Sequence, residues 1–243
     1  MEGNMFRHAV CFSVILLTSV SVAYAGITLN ATRVIYLEGK KEATLGVKND
    51  SSAPRLIQAW MDAGEGSEVT PPFIIVPPIF RVDPGKGQSL RIHFTGGNIP
   101  RDRESVFWIN VLEVSPTPPG KKAGTQNVIQ FPVRSRLKLF YRPKDLPGSP
   151  QQAVSMLQWR RLPGKEGGEL ECTNPSAFNI SFHDIRLTPP SDMDKTKQSG
   201  MCPAKGRVIF KLSTTGQLTQ EKVFFSTIDD NGGFDIRETR YRN

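Results

Sequence analysis

Side chains able to do chemistry are few in this sequence of 243 residues, which holds three histidines and three cysteines. His8 and Cys11 fall within residues 1–25, which have the layout of a secretory signal peptide. Arg7 and His8 precede an apolar run from Val10 to Leu17, and the segment ends in Ala23-Tyr24-Ala25 before Gly26. That run is too short and too rich in serine and threonine to span a bilayer comfortably, so cleavage and export are expected. His93 and His183 remain. A hydrolytic triad needs a base beside a nucleophile, whereas His93 sits in an alternating segment and His183 lies beside Asp184 in another; structural or surface roles suit both. A zinc site needs four ligands, and "PGKGQS" at 84–89 lacks the spacing of a phosphate loop. Neither metal, cofactor nor catalysis is expected. Cys172 and Cys202, an even pair in an oxidising compartment, are expected to form a disulfide. One base is oddly placed. In "NVIQFPVRSRLKLFYRP", Asn127 to Pro143, apolar residues take alternate positions, and Lys138 stands between Leu137 and Leu139.

The elements that must position these residues are strands. Short alternating runs recur ("ATLGVKN", "RLIQAWMD", "QSLRIHF", "SVFWINVLEV", "FNISFHDIRL", "GRVIFKL"), separated by Gly, Pro, Asn and Asp. No stretch after residue 25 sustains a helical period, and regularly spaced short strands point to an all-β protein of sandwich type. The strongest break is "RPKDLPGSP", Arg142 to Pro150. It divides the chain into residues 26–145 and 146–243, each long enough for one immunoglobulin-like sandwich. No internal repeat is strong enough to use. The net charge of +8 is unchanged by loss of residues 1–25, because Arg7 and Glu2 leave together. Export and the scatter of the basic residues argue against nucleic acid, leaving solubility and attraction to acidic partners. No later stretch approaches membrane length, so no stable membrane insertion is expected.

"IPRDRESVFWINVLEV", Ile99 to Val114, and "SRLKLFYRP", Ser135 to Pro143, resemble the identifying stretches of the periplasmic chaperones of bacterial chaperone–usher fimbriae. "NATRVIY", "QAW", "VPPIFRVDPGKGQSLRI", "NPSAFNISF" and "IDDNGG" extend the resemblance through both halves in the right order. Ser115 before Pro116 departs from the family pattern. The lack of a cysteine pair beside the hairpin resembles the short-loop subgroup.

The resemblance implies two immunoglobulin-like sandwiches set at an angle with a cleft between them. It implies a periplasmic chaperone that binds, folds and caps fimbrial subunits and delivers them to an outer-membrane usher. Arg33 and Lys138 match the pair that holds the subunit's terminal carboxylate, a task suited to planar Arg geometry and a mobile Lys charge. Ile129, Phe131 and Val133 share one strand face and match the row lent to an incomplete subunit sandwich, a mode of strand addition known for chaperone–pilin pairs. Packing the owner's core would produce the same alternation. The length of the row favours donation, since Leu137 and Leu139 suffice for an internal core, and Pro132 suits an edge. Glu104, Arg142 and Asp230 match an interdomain charged network, with Asp229 the neighbouring candidate. The family also implies that the free protein caps itself, by self-association as a homo-oligomer or by a loop, because an apolar edge invites association. A structural fimbrial subunit or adhesin is the alternative. Subunits are usually one incomplete domain after a mobile extension, and this chain has two complete-looking halves.

Overall fold

The buried apolar residues of the described strands divide between two separate cores. A computed structural model describes residues 26–114, 131–162, 169–189, 198–212 and 221–242. The expected signal peptide, residues 1–25, and Ile129 lie outside the described residues. The first half contains β1 (Ile27–Leu29), β2 (Arg33–Leu37), β3 (Ala43–Asn49), β4 (Arg55–Asp62), β5 (Phe73–Val76), β6 (Ile79–Val82), β7 (Gly87–Phe94), β8 (Ser105–Val114) and β9 (Val133–Arg142). They form a four-stranded sheet, β1-β3-β7-β5, facing a five-stranded sheet, β2-β9-β8-β4-β6. Leu45 and Val47 of β3 and Leu90 and Ile92 of β7 meet Ile57, Ile109, Val111 and Leu139 between the layers, all essentially without solvent contact. Period-two spacing is what sends these alternate residues to one face.

The second half contains β10 (Gln158–Leu162), β11 (Glu169–Asn174), β12 (Ile180–Arg186), β13 (Gln198–Cys202), β14 (Gly206–Lys211), β15 (Lys222–Ile228) and β16 (Phe234–Arg240). Its sheets are β10-β11-β14 and β13-β12-β15-β16. Trp159 anchors the core, with ring centroids 5.3 Å from Phe225 and 5.5 Å from Phe182. The protein is thus almost entirely β, in two immunoglobulin-like sandwiches. Among the described residues there is one short helix, α1 (Pro150–Ser155), after the proline-rich break. Ser149 caps it, its hydroxyl accepting from the Gln152 amide at 3.3 Å, and Pro150 opens its first turn.

The halves share a device. At the end of β3, the Asn49 side chain donates to Ala53 O (2.8 Å) and Val82 O (2.9 Å) and accepts from Ser51 N and Oγ. At the end of β11, Asn174 donates to Phe178 O (2.8 Å) and Cys202 O (3.3 Å) and accepts from Ser176 N and Oγ. Both asparagines are fully buried, and in each case one amide side chain ties a turn to a strand of the same sandwich.

The expected disulfide is corrected by the structure. Cys172 and Cys202 are both free and buried. They lie side by side between the sheets, and the Cys202 thiol donates to the Cys172 carbonyl oxygen at 3.2 Å rather than bonding to its sulfur. Burial pushes the Cys172 thiol well above its ordinary range, so it is held neutral. These cysteines pack as small apolar residues.

Candidate functional site

β9 runs along the boundary between the sandwiches, and its two ends are treated differently. From Val133 to Tyr141 it pairs antiparallel with β8. On its other side β2 pairs with it in parallel, and only from Lys138 to Arg142. Residues Val133–Leu137 therefore have an open edge on that side among the described residues. The apolar row crosses this change. Leu139 is fully buried and Leu137 is 6% exposed, whereas Val133 is 57% and Phe131 80% exposed. Phe131 precedes the strand itself, which starts at Val133 directly after Pro132, where a ladder donor is missing.

The alternate face of β9 looks into a cleft between the halves. This cleft holds a cavity of about 300 Å³ walled by Arg33, Phe140 and Arg142 from one side and Asn179, Ile228 and Asp230 from the other. Arg142 closes it at one end. Its Nε donates to Glu104 Oε1 at 2.6 Å, and its two terminal nitrogens donate to the Asp230 carboxylate at 2.7 and 2.9 Å. Glu104 is itself tied to the second half, accepting from Asn179 N at 2.9 Å through Oε2. Burial pushes the Glu104 carboxyl upward, opposed by Arg142 and the Asn179 amide. Burial lowers Arg142, and its bonds to Asp230 and Glu104 more than compensate, holding it above its ordinary value. Asp229, the neighbouring candidate, is occupied elsewhere. Its Oδ1 accepts from Asn231 N and Gly233 N and shapes the β15–β16 turn. Gly232 in that turn has φ +88°, and a Cβ there would lie 2.5 Å from Thr32 Oγ1, so glycine lets the turn seat against the first half.

Arg33 and Lys138 are brought together as register partners on β2 and β9. Arg33 is 9% exposed. Its Nη1 donates to Ile228 O at 3.0 Å, while its buried Nε has no hydrogen-bond partner. Lys138 Nζ donates to Ser181 Oγ at 3.3 Å and lies 5.5 Å from the Trp108 ring centroid. Neither cation has an ion-pair partner among the described residues. Burial, reinforced by the nearby Arg33 charge, pulls Lys138 down to about 8. Burial also lowers Arg33, against the attraction of Asp230 and Asp229. Arg136 on the same strand face differs, stacking 4.3 Å over Trp108 and bonding Asp62 at 2.6 Å. The site is thus a buried arginine and a half-buried lysine with spare donor capacity, beside a strand whose apolar row leaves its own core. Chemically it can accept an anion with several lone pairs, such as a carboxylate.

Ser181 and Trp108 were not found by reading the sequence. A serine in an alternating strand carries no signal when its partner comes from the other sandwich. His93 and His183 are engaged in ordinary contacts, His93 Nδ1 lying 3.3 Å from Lys41 O and the His183 ring lying tilted, 4.5 Å from that of Phe234.

Residues 26–147 match the family described as pili and flagellar-assembly chaperone, PapD N-terminal domain. Residues 152–239 match the pili assembly chaperone PapD, C-terminal domain. The chain is 40% identical over 235 residues to the probable fimbrial chaperone LpfB of Escherichia coli O157:H7, covering 96% of this chain and 95% of that protein. Among solved structures it resembles the YadV chaperone, with a TM-score of 0.72 and 32% identity over 89% of this chain and 100% of that one. It also resembles a structure of the Salmonella enterica SafA pilin in complex with the SafB chaperone. There the TM-score is 0.71 at 27% identity, covering 92% of this chain and 99% of that one.

Proposed function

Because this chain belongs to the pilus assembly chaperone family, we propose that it works in the periplasm, capturing fimbrial subunits by donor-strand complementation and passing them to an outer-membrane usher. The observation that carries this reading is the course of β9. Leu137 and Leu139 belong to the owner's core, while Val133 and Phe131 continue the same alternation into solvent beside an open edge. An incomplete subunit sandwich would take that row into its groove and pair with that edge. Burying the exposed side chains would contribute about 1.5–3 kcal/mol each, partly offset by association costs. Ile129 would extend the row. Arg33 and Lys138 would hold the subunit's terminal carboxylate and so fix register, since a one-residue slip turns every side chain to the other face. Glu104, Arg142 and Asp230 would hold the angle between the sandwiches. In the free protein, a second copy would cover the exposed row. The reading assigns the chain no catalytic role and no cofactor.

Two complete sandwich cores weigh against the alternative of a structural subunit or adhesin. The test is co-expression with subunits encoded beside its gene. The expected result is a soluble chaperone–subunit complex recovered from the periplasm and lost with Phe131→Glu, which would put a charge in an apolar groove. Recovery of the chain as a building block of sheared fibres would overturn the reading.

A further inference from the structure

The two cations of the cleft reach across to two residues that are themselves partners. Arg33 and Lys138 are in register on β2 and β9, and Ser181 and Ile228 are in register on β12 and β15. Arg33 donates to the Ile228 carbonyl and Lys138 to the Ser181 hydroxyl. We propose that Ser181 is a positioning residue for subunit capture, its hydroxyl steadying the Lys138 ammonium so that its remaining N–H groups are free for the incoming carboxylate. This rests on the reading of Arg33 and Lys138 as the carboxylate anchor.

The chemistry of the acceptors supports it. Both are neutral oxygens, so they orient the cations without cancelling their charge. An aspartate in place of Ser181 would form an ion pair and occupy Lys138, as Asp230 occupies Arg142. Ser181 is 2% exposed, so its hydroxyl is shielded from bulk water, and a lysine carries three donors, of which this bond uses one. The charged groups around Lys138 leave Ser181 as its hydrogen-bond acceptor. Arg33 on β2 repels it, and Arg136 on its own strand is committed to Asp62 of β4. On β12, His183 is turned to Phe234 and Asp184 pairs with Arg186. Asp229 and Asp230 act on Arg33. A bond to the hydroxyl favours the protonated amine, so its loss should let Lys138 neutralise at lower pH.

The probe is a fluorescent peptide of alternating apolar and polar residues with a free C-terminal carboxylate, compared with the same peptide amidated at that end. Wild type should prefer the acid, and the preference should fade as pH rises above about 8. Ser181→Ala should move that fading down by about one pH unit, the order expected for a hydrogen bond to a charged group. Ser181→Thr, which keeps the hydroxyl, should retain the wild-type profile, while Ser181→Val, isosteric with that threonine but lacking the hydroxyl, follows Ala. Should Ala fail to fold, the Thr and Val pair decides. An unmoved profile in the hydroxyl-free variants, with acid preference still abolished by Lys138→Ala, would overturn the role of Ser181 alone. Absence of any acid preference in wild type would overturn the anchor reading, and the role of Ser181 with it.

Discussion

Arg142 and Lys138 lie on the same face of one strand, both partly buried in the same cleft, and their electrostatic circumstances are opposite. Arg142 meets two carboxylates through three hydrogen bonds, and these raise it against the burial that would lower it. Lys138 meets a serine hydroxyl and an aromatic ring, and burial pulls it down to about 8. A buried charge with its counter-charges in place serves the fold. A buried charge without one costs stability until something supplies the anion. The difference separates the cation that joins the sandwiches from the one that, on the function proposed above, would hold a client's carboxylate.

Breaking that contrast should cost most at Arg142. Arg142→Ala leaves Glu104 buried without its cation and should lower stability by about 3–5 kcal/mol, read as a shift in the urea midpoint at constant m-value. Lys138→Ala should behave in the opposite sense. Affinity for a carboxylate-terminated strand should fall by about 1.5–3 kcal/mol, the worth of a hydrogen bond to a charged group, while the urea midpoint does not fall. A parallel loss of stability and capture in both variants would erase the distinction. The contrast should also depend on pH. Lys138 deprotonates at about 8 in the fold against an ordinary 10.5, so between those values the unfolded chain binds more protons and stability rises with pH. Capture should weaken over the same range as the ammonium neutralises. Urea titrations across that window check the sign, and Lys138→Met should remove the Lys138 contribution to the slope. The smallest effect is expected at Val133→Ala. With its side chain largely in solvent, the free protein should change by less than about 0.5 kcal/mol, while binding of a subunit strand weakens by about 1 kcal/mol.

Sequence reading found β3 and β7 and missed β15, and burial of one face or of both separates these cases. β3 and β7 carry their inward residues at alternate positions, so the runs around Leu45 and Leu90 announce themselves. β15 buries every residue from Val223 to Thr227, which leaves no alternation to detect. Helix α1 is too short to show a period, though its Ser149-Pro150 start is a capping signal. Arg33 and Lys138 were reached through family resemblance, since they are far apart in sequence and only parallel pairing brings them together. Asp229 and Asp230 could not be separated by order alone, because the choice depends on which carboxylate the turn consumes. The Asn-x-Ser turn at Asn49 and Asn174 repeats in both halves, but two residues are too little to stand out as a repeat. The cysteine pair shows the limit of counting. Compartment and parity suggest oxidation, whereas the packing places a thiol against a carbonyl.

β9 belongs to its owner's interior at one end and leaves it at the other, which makes the protruding end a gauge rather than a loose ribbon. Sliding it by one position would push Lys138 into the space filled by Leu139, a residue with no solvent contact, so the projecting side chains keep fixed spacing and phase before any client arrives. Damage to the first sandwich should therefore spoil the template it offers, and a chaperone that has not folded correctly would have nothing coherent to lend.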